Sequence, residues 1–162
     1  MKKIILFLIV VVLVLSCKEK KILVITPQQN SFTAILNDVS TIFTENERDS
    51  LINKIIQFEH KTTNEIAIVT LDSIHGDILI FATDLANKMG VGKKSKDNGL
   101  LILIVKPLRK VSIATGYGTE KKLTDAFCQE IINRKMIPYF KKDNYYKGLD
   151  AALDEIILKW TN

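Results

Sequence analysis

The sequence predicts an α/β fold, a three-layer α/β/α sandwich around a small mixed β-sheet. Two apolar runs, Glu65–Leu71 and Gly99–Val105, have the length and composition of strands buried on both faces. A helical pattern beginning at Asp77 lies between them, and this order predicts a parallel, right-handed βαβ unit. Residues 111–115 follow too soon for another crossover, so they should return antiparallel as a hairpin strand.

Helices should precede and follow these strands. Thr44 and Glu47 match the capping box, in which a hydroxyl and a carboxylate satisfy free amides, so we expect a helix over residues 44–61. Its apolar residues recur at helical spacing: Leu51, Ile52, Ile55, Ile56 and Phe58. A last helix over about residues 144–160 repeats this pattern. Such helices can cover both faces of one small sheet.

Two further helices are predicted from their end signals. Asp77 should cap the helix between the two long strands, and Gly90 or Gly92 should end it. Thr124 should cap a helix that stops near Pro138, because proline lacks the amide that a helix interior needs.

The first 17 residues are typical of an export signal. Lys2 and Lys3 precede twelve apolar residues, 4–15, which are too few for a membrane span of about 20 but suit a signal peptide. Val14-Leu15-Ser16-Cys17 resembles a bacterial lipobox, in which cleavage precedes a cysteine that then carries the lipid. We therefore predict lipidation of Cys17.

This interpretation divides the chain into three parts. Residues 1–16 should be a lipoprotein signal peptide, residues 17–31 a lipid-anchored tether, and residues 32–162 one folded domain. The protein should then be attached through its lipid to a membrane of the cell envelope, at the periplasmic or extracellular face. We expect the folded domain itself to be monomeric.

Charge and cysteine content argue against a nucleic-acid-binding protein and against a fold stabilised by disulfides. The chain has 23 Lys and Arg against 18 Asp and Glu, and loss of Lys2 and Lys3 leaves a surplus of only three positive charges. The remaining lysines fall in short separated groups, which argues against nucleic-acid binding. With Cys17 lipidated, only Cys128 remains, so no intrachain disulfide can form.

The hairpin predicts where polar groups could converge. If Val105 pairs with Val111, antiparallel register places Leu100 beside Gly116. The loop that enters the central strand and the loop that leaves the return strand then share one edge of the sheet. Parallel pairing brings the start of the other long strand to the same edge.

Hard oxygen donors occur in these loops. Asp97 and Asn98 precede the central strand, Glu120 and Asp125 follow the return strand, and Glu65 begins the other long strand. Carboxylate and amide oxygens suit Ca²⁺ or Mg²⁺ better than a softer metal. The alternatives are that Asp97-Asn98-Gly99 is an ordinary turn, that Asp125 favours a helix start, and that Glu65 is a solvated strand end.

No catalytic residue or organic cofactor site can be assigned. Cys128 and Arg134 have the C-x₅-R spacing of cysteine phosphatases, but the residues between them predict an amphipathic helix and not an anion-binding loop. Neither of the two histidines, His60 and His75, lies in a hydrolase or zinc-protease motif.

Three ordered motifs resemble the TPM domain family over roughly residues 32–160. They are Leu36-Asn37-Asp38; Asp97-Asn98-Gly99-Leu100-Leu101; and Gly116-Tyr117-Gly118-Thr119-Glu120 with Leu123-Thr124-Asp125-Ala126. The resemblance implies an α/β/α sandwich that is exported or faces a lumen, with a divalent-cation site and, for a plant relative, acid phosphatase activity. Carried over by residue, it implies Asp38, Asp97, Asn98, Glu120 and Asp125 as metal ligands.

We therefore expect a lipid-anchored cell-envelope domain that binds a divalent cation, Ca²⁺ before Mg²⁺, and acts as an interaction module, with an envelope protein as its partner. The alternative is a metal-dependent acid phosphatase. Many bacterial relatives continue into a transmembrane helix and a glycine-rich tail, whereas this sequence stops at Asn162, so attachment here should depend on the lipid.

Overall fold

Four strands form one mixed sheet in the computed structural model, which describes residues 35–162. The spatial order is the chain order: β1 (Leu36–Asp38), β2 (Glu65–Leu71), β3 (Gly99–Val105) and β4 (Lys110–Thr115). The first three strands are parallel and β4 is antiparallel to β3, which confirms the predicted mixed sheet. The predicted signal peptide, the tether and Cys17 lie outside the described residues.

Six α-helices connect and flank the strands within the described residues. They are α1 (Glu45–Thr62), α2 (Ile78–Met89), α3 (Tyr117–Glu120), α4 (Asp125–Ile131), α5 (Ile137–Phe140) and α6 (Tyr145–Thr161). A 3₁₀ turn (Lys106–Leu108) joins β3 to β4, and a π-helical turn (Ile132–Met136) joins α4 to α5. Within residues 35–162, every helix is too short or too polar to cross a membrane.

The helix starts follow the predicted caps. The Thr44 hydroxyl accepts a hydrogen bond from the Glu47 amide, and the Glu47 carboxylate accepts one from the Thr44 amide at 2.9 Å, which completes the capping box. The Asp77 carboxylate caps α2, which ends at Gly90 in the left-handed conformation. Thr124 caps α4 through the Phe127 amide.

Two apolar clusters, one on each face of the sheet, confirm the three layers. Side chains alternate along β3, so that Leu100, Ile102 and Ile104 join one cluster while Leu101, Leu103 and Val105 join the other. The first cluster packs under α1, α4 and α6, and the second packs under α2 alone. Both faces of β3 are therefore covered, which explains its uninterrupted apolar sequence.

The two crossover connections have opposite hands. Both step in the same direction across the sheet, from β1 to β2 and from β2 to β3, yet α1 and α2 lie on opposite faces. A right-handed β2–α2–β3 unit, as predicted, therefore requires a left-handed β1–α1–β2 connection, which is rare among parallel strands.

The predicted hairpin register is wrong by one residue. Val105 pairs with Lys110, not with Val111, and Leu100 pairs with Thr115. The cause is the connection: the 3₁₀ turn is closed by Arg109 at φ 52°, whose amide donates to the Lys106 carbonyl, so four residues make the turn instead of five. The shared edge survives the shift, because the amide of Gly116 donates to the carbonyl of Gly99.

The helix predicted from Thr124 to about Pro138 also differs in its course. It does not stop there, but passes through the π-helical turn into α5, where Pro138 lies in the first turn. Proline offers no amide to the Arg134 carbonyl, and the wider π register lets the chain continue around this gap, with the Ile137 amide donating to Ile132.

Candidate functional site

The sheet has two ends that differ in their polar chemistry. We call the end where β2 and β3 begin the amino rim; it carries the loop of residues 91–98 and the segment of residues 116–125. Glu65 pairs with Gly99 there, and β4 finishes beside them. The opposite end, the carboxyl rim, carries the turn of residues 38–43 and the hairpin of residues 106–109.

Close backbone packing builds the amino rim. A Cβ atom on Gly118 or Gly116 would lie closer than 3.0 Å to the carbonyl oxygen of Lys96 or Asp97 respectively. The Asp97 carbonyl accepts hydrogen bonds from the amides of Gly118, at 3.0 Å, and Thr119, at 3.3 Å. The glycines of the predicted motif are therefore needed for contact between the two segments, which confirms that these segments meet at one edge.

Asp97 presents a free carboxylate at this rim. Its backbone has φ 47°, a left-handed conformation that aspartate tolerates better than most residues, and its carbonyl is held by the amides of the facing segment. Its side chain is exposed and makes no hydrogen bond or ion pair with any described residue. A fixed backbone thus presents an uncommitted carboxylate to solvent.

Glu120 and Asp125 lie on the facing segment. Glu120 ends α3, and Asp125 opens α4 directly after the capping residue Thr124. Neither carboxylate bonds to another described residue. Both lie near Cys128: burial is the main cause that raises the pKa of that thiol to about 11, and the charges of Asp125 and Glu120 add to the rise. Three uncommitted carboxylates are therefore distributed along one rim.

Asn98 has a structural role at the same rim. It is 5% exposed, and its amide nitrogen donates to the Thr63 carbonyl at 2.8 Å and to the Asn64 side-chain oxygen at 3.0 Å. Its own oxygen accepts from the Lys93 amide at 2.9 Å. The side chain joins the loop before β3 to the end of α1, so its oxygen has only one lone pair left for a cation.

Asp38 lies at the other end of the sheet from the remaining predicted ligands. It pairs with Thr70, which pairs with Ile104, five residues along β3 from Gly99 and so roughly 17 Å away. Its carboxylate accepts from Thr70 Oγ1 at 2.6 Å and from the amides of the turn that follows, Ile42 and Phe43. The structure therefore does not bring Asp38 together with Asp97, because parallel pairing of β1 directs it to the carboxyl rim.

Glu65 is engaged with the protein and is not the solvated strand end considered above. It is 19% exposed, accepts a hydrogen bond from the Gly92 amide at 2.7 Å and forms an ion pair with Lys93. Hydrogen bonding and the charge of Glu65 raise the pKa of Lys93. Glu65 thus supports the loop that carries Asp97.

The carboxylate oxygens of Asp97, Glu120 and Asp125 are the kind of ligand that a hard cation prefers, and they lie at a solvent-accessible rim. Among residues 35–162, no three side chains of His, Cys, Asp or Glu are already placed closely enough to hold a metal ion together. A cation would therefore require the Asp97, Glu120 and Asp125 side chains to turn towards it. The cation site stays a prediction.

The C-x₅-R spacing is coincidental, as predicted. Cys128 lies inside α4 at 5% exposure, and its raised pKa keeps it a thiol at neutral pH. Arg134 forms ion pairs with Glu130 and Glu155 on the helix surface. A thiolate nucleophile beside a phosphate-binding arginine is therefore not present at these two positions.

Thr119 lies in the motif from Gly116 to Glu120 but is not among the predicted ligands. It is fully buried, and its hydroxyl donates to the Gly99 carbonyl at 2.9 Å. A buried threonine within a helix of only four residues gives no signal in apolar periodicity, so only the motif could have drawn attention to it.

Comparison with known proteins identifies the domain. The family model described as the TPM domain matches residues 36–159, while no curated protein matches the chain. The solution NMR structure of the N-terminal domain of a P. gingivalis protein is 29% identical, with a TM-score of 0.73, over 82% of this chain and 85% of that one.

Two other solution structures share the fold at lower identity. The BA42 protein of the psychrophilic bacterium Bizionia argentinensis has a TM-score of 0.67 at 20% identity, over 76% of this chain and 84% of that one. The N-terminal domain of the cg2496 protein of Corynebacterium glutamicum has a TM-score of 0.62 at 16% identity, over 79% and 80%. The match to nearly the whole folded part shows that this chain belongs to the TPM domain family.

Proposed function

We propose that this TPM domain is held at the cell envelope by a lipid on Cys17, binds a divalent cation at the amino rim, and acts there as an interaction module. The observation that supports cation binding most directly is the set of three carboxylates, Asp97, Glu120 and Asp125, that bond to no other described residue. They stand on two segments fixed by backbone hydrogen bonds.

Calcium is the cation we favour. It accepts variable numbers of carboxylate and carbonyl oxygens together with water, whereas Mg²⁺ demands near-ideal octahedral geometry. Asp97, Glu120 and Asp125 would supply the charge, and Asn98 could add its remaining lone pair. With so few protein ligands we expect weak binding, with a dissociation constant of about 10⁻⁴–10⁻³ M, as in extracellular calcium modules.

The anchor is supported by sequence alone, through the basic start, the apolar run and the Val14-Leu15-Ser16-Cys17 segment. A cell expressing the full chain should incorporate a labelled fatty acid into it. Cys17→Ser should abolish that label; a label that persists in this variant would contradict the assignment.

Cation binding is tested by titrating residues 17–162, carrying Cys17→Ser, with CaCl₂ while amide NMR signals are recorded. The expected shifts are confined to residues 97–98 and 116–125. Asp97→Ala should weaken binding by about tenfold or more, because one of three charged ligands is lost. Asp84→Ala, which removes an exposed carboxylate from α2 on one face of the sheet, is the matched control and should leave the affinity unchanged.

The titration can also contradict the proposal. Unchanged amide signals at the amino rim in millimolar calcium would remove the cation site. Equal loss of affinity in Asp97→Ala and Asp84→Ala would show nonspecific attraction to acidic groups. For the interaction module, the expected result is an envelope protein captured by the wild type in calcium and lost both in chelator and in Asp97→Ala.

The alternative, a metal-dependent acid phosphatase, stays an implication of the family resemblance. A bound cation could neutralise phosphate and lower the pKa of a coordinated water, but two-metal phosphatases need ligands for ions about 4 Å apart. The three free carboxylates of the amino rim are too few to hold two metal ions in that arrangement. Hydrolysis of a chromogenic phosphate that is lost both in chelator and in Asp97→Ala would favour this alternative.

A further inference from the structure

We propose that the carboxyl rim carries a docking surface for an anionic lipid membrane. The surface, which we call the basic hairpin surface, combines the turn between β3 and β4 with the loop that follows α5. Its members are five cations and one apolar residue: Lys106, Leu108, Arg109, Lys110, Lys141 and Lys142. All six are exposed. The inference is independent of the cation site at the opposite rim.

Contacts between the two segments make them one surface. Lys106 Nζ lies 3.7 Å from Asp143 Oδ1 and 5.0 Å from the centre of the Tyr145 ring. Burial and the charge of Asp143 raise the pKa of Tyr145, and the nearby Arg109 opposes that rise. The loop is itself closed by backbone hydrogen bonds, from Asp143 to Phe140 and from Asn144 to Tyr139. Hairpin and loop therefore present their cations together.

The basic hairpin surface has a local excess of positive charge that the domain as a whole does not have. The first 34 residues hold five of the chain's 23 Lys and Arg and one of its 18 Asp and Glu, so residues 35–162 carry 18 positive and 17 negative side chains. Against this near balance, the basic hairpin surface has five cations, while Asp143 and the nearby Asp72 are its acidic neighbours. Among the described residues, only Lys106 of the five has a carboxylate within 4.0 Å.

An apolar side chain at the tip favours lipid over nucleic acid. Leu108 is 45% exposed and stands between Pro107 and Arg109 on the 3₁₀ turn. A leucine surrounded by cations can enter the interface between headgroups and acyl chains while the cations meet lipid phosphates. Nucleic acid offers the phosphates but no apolar layer for this side chain.

The amino rim provides a contrast within the same domain. Five lysines are also present there, but four carboxylates lie among them, those of Glu65, Asp97, Glu120 and Asp125, so the local charge is nearly balanced. Lys121 and Lys122 form an exposed adjacent pair on that rim, just as Lys141 and Lys142 do on the carboxyl rim. Replacing either lysine pair by glutamates changes the net charge of the protein by the same amount. A difference in membrane binding between the two variants therefore reports on where the charges lie and not on the net charge.

The test is co-sedimentation of residues 17–162, carrying Cys17→Ser, with vesicles of phosphatidylglycerol and phosphatidylcholine in equal parts, or of phosphatidylcholine alone. A chelator in the buffer prevents calcium from bridging protein and lipid. We expect salt-sensitive binding to the anionic vesicles only. The double variant Lys141→Glu, Lys142→Glu should weaken it by at least about 30-fold, since each lysine near an anionic surface strengthens binding by about fivefold.

The matched variant Lys121→Glu, Lys122→Glu should lower binding by less than about threefold. Leu108→Ser, which leaves the charge unchanged, should weaken binding measurably, because the apolar contact is lost. These positions are exposed, and an unchanged amide NMR spectrum elsewhere confirms that each variant is folded. The lysines of residues 17–34 are present in every variant and cannot cause a difference between them.

Three results would each overturn the proposal. The first is equal loss in the two lysine-pair variants, which would mean attraction by overall charge. The second is equal binding to both kinds of vesicle, and the third is no sedimentation of the wild type with anionic vesicles. A Leu108→Ser variant that binds as the wild type does would likewise remove the preference for a lipid surface.

Discussion

The two rims of the sheet fix their loops by different means. At the amino rim, the amides of Gly116, Gly118 and Thr119 are satisfied by backbone carbonyls, and glycines allow the close approach. The facing loop adds hydrogen bonds to the side chains of Glu65 and Asn98 and leaves the Asp97 carboxylate free of any bond to a described residue. At the carboxyl rim, the turn after β1 is held by a side chain, the carboxylate of Asp38. An acidic residue is therefore left for a ligand only where the loop does not need it for its own amides.

This difference explains why motif residues of one chemical type have two roles. Asp38 and Asp97 both belong to segments that resemble the TPM family; Asp38 ends β1, and Asp97 lies two residues before β3. Asp38 is 8% exposed and its carboxylate accepts three hydrogen bonds, whereas the Asp97 side chain is exposed and bonds to no described residue. The comparison predicts that replacing a closely packed glycine disrupts the amino rim. At the carboxyl rim, replacing a hydrogen-bonded polar side chain should be disruptive.

The largest effect is expected for Gly118→Ala. The new methyl group would lie within 3.0 Å of the Lys96 carbonyl, a backbone atom that cannot rotate away. Overpacking of this kind costs about 3 kcal/mol of unfolding free energy, and the two segments of the amino rim would be forced apart. Urea denaturation followed by circular dichroism measures the loss.

Gly76→Ala is the control for this substitution. Gly76 has φ 80° and no heavy atom near the position of a Cβ, so alanine there should cost only about 1 kcal/mol through backbone strain. Equal destabilisation by the two substitutions would show that close packing is not what the amino rim requires.

The second prediction compares Asp38→Asn with Asp97→Asn, the same change at each rim. An amide at position 38 must turn its NH₂ group towards a backbone donor, the Ile42 amide or the Phe43 amide, and we expect a loss of about 2 kcal/mol. At position 97 the loss should be below about 0.5 kcal/mol, since the carboxylate bonds to no described residue. Equal values for the two variants would remove the distinction between the rims.

Sequence alone predicted the elements whose signals are local or strongly apolar. The bounds of β2 and β3 follow from runs buried on both faces, and the starts of α1, α2 and α4 follow from capping residues whose oxygens satisfy free amides. Convergence of residues 97–98 with residues 116–125 followed from antiparallel pairing, which holds even when the register moves by one residue.

Other features depend on contacts that leave no local signal. β1 has three residues, too few for a periodic pattern, so the direction of Asp38 could not be read from its motif. Arg109 adopts a left-handed conformation without being glycine or asparagine, and this set the hairpin register. Asn98 could be read equally as a turn residue or as a ligand until its partners, Thr63 and Asn64, were known.

The smallest predicted difference separates two fully buried threonines, one at each rim. Thr119 donates to the Gly99 carbonyl, which also accepts the Gly116 amide, so Thr119→Val leaves no orphaned group and should cost about 1 kcal/mol. Thr70 both donates to Asp38 and accepts the Ser40 amide. Thr70→Val therefore strands a donor, and we expect a loss of about 2 kcal/mol.

Valine replaces the hydroxyl by a methyl group of similar size, so a difference between these variants reports on hydrogen bonds and not on cavities. Urea midpoints at a common slope measure it directly. If Thr119→Val proved as costly as Thr70→Val, the contact between residues 116–119 and residues 97–99 would depend on the Thr119 hydroxyl as much as the turn after β1 depends on the Thr70 hydroxyl.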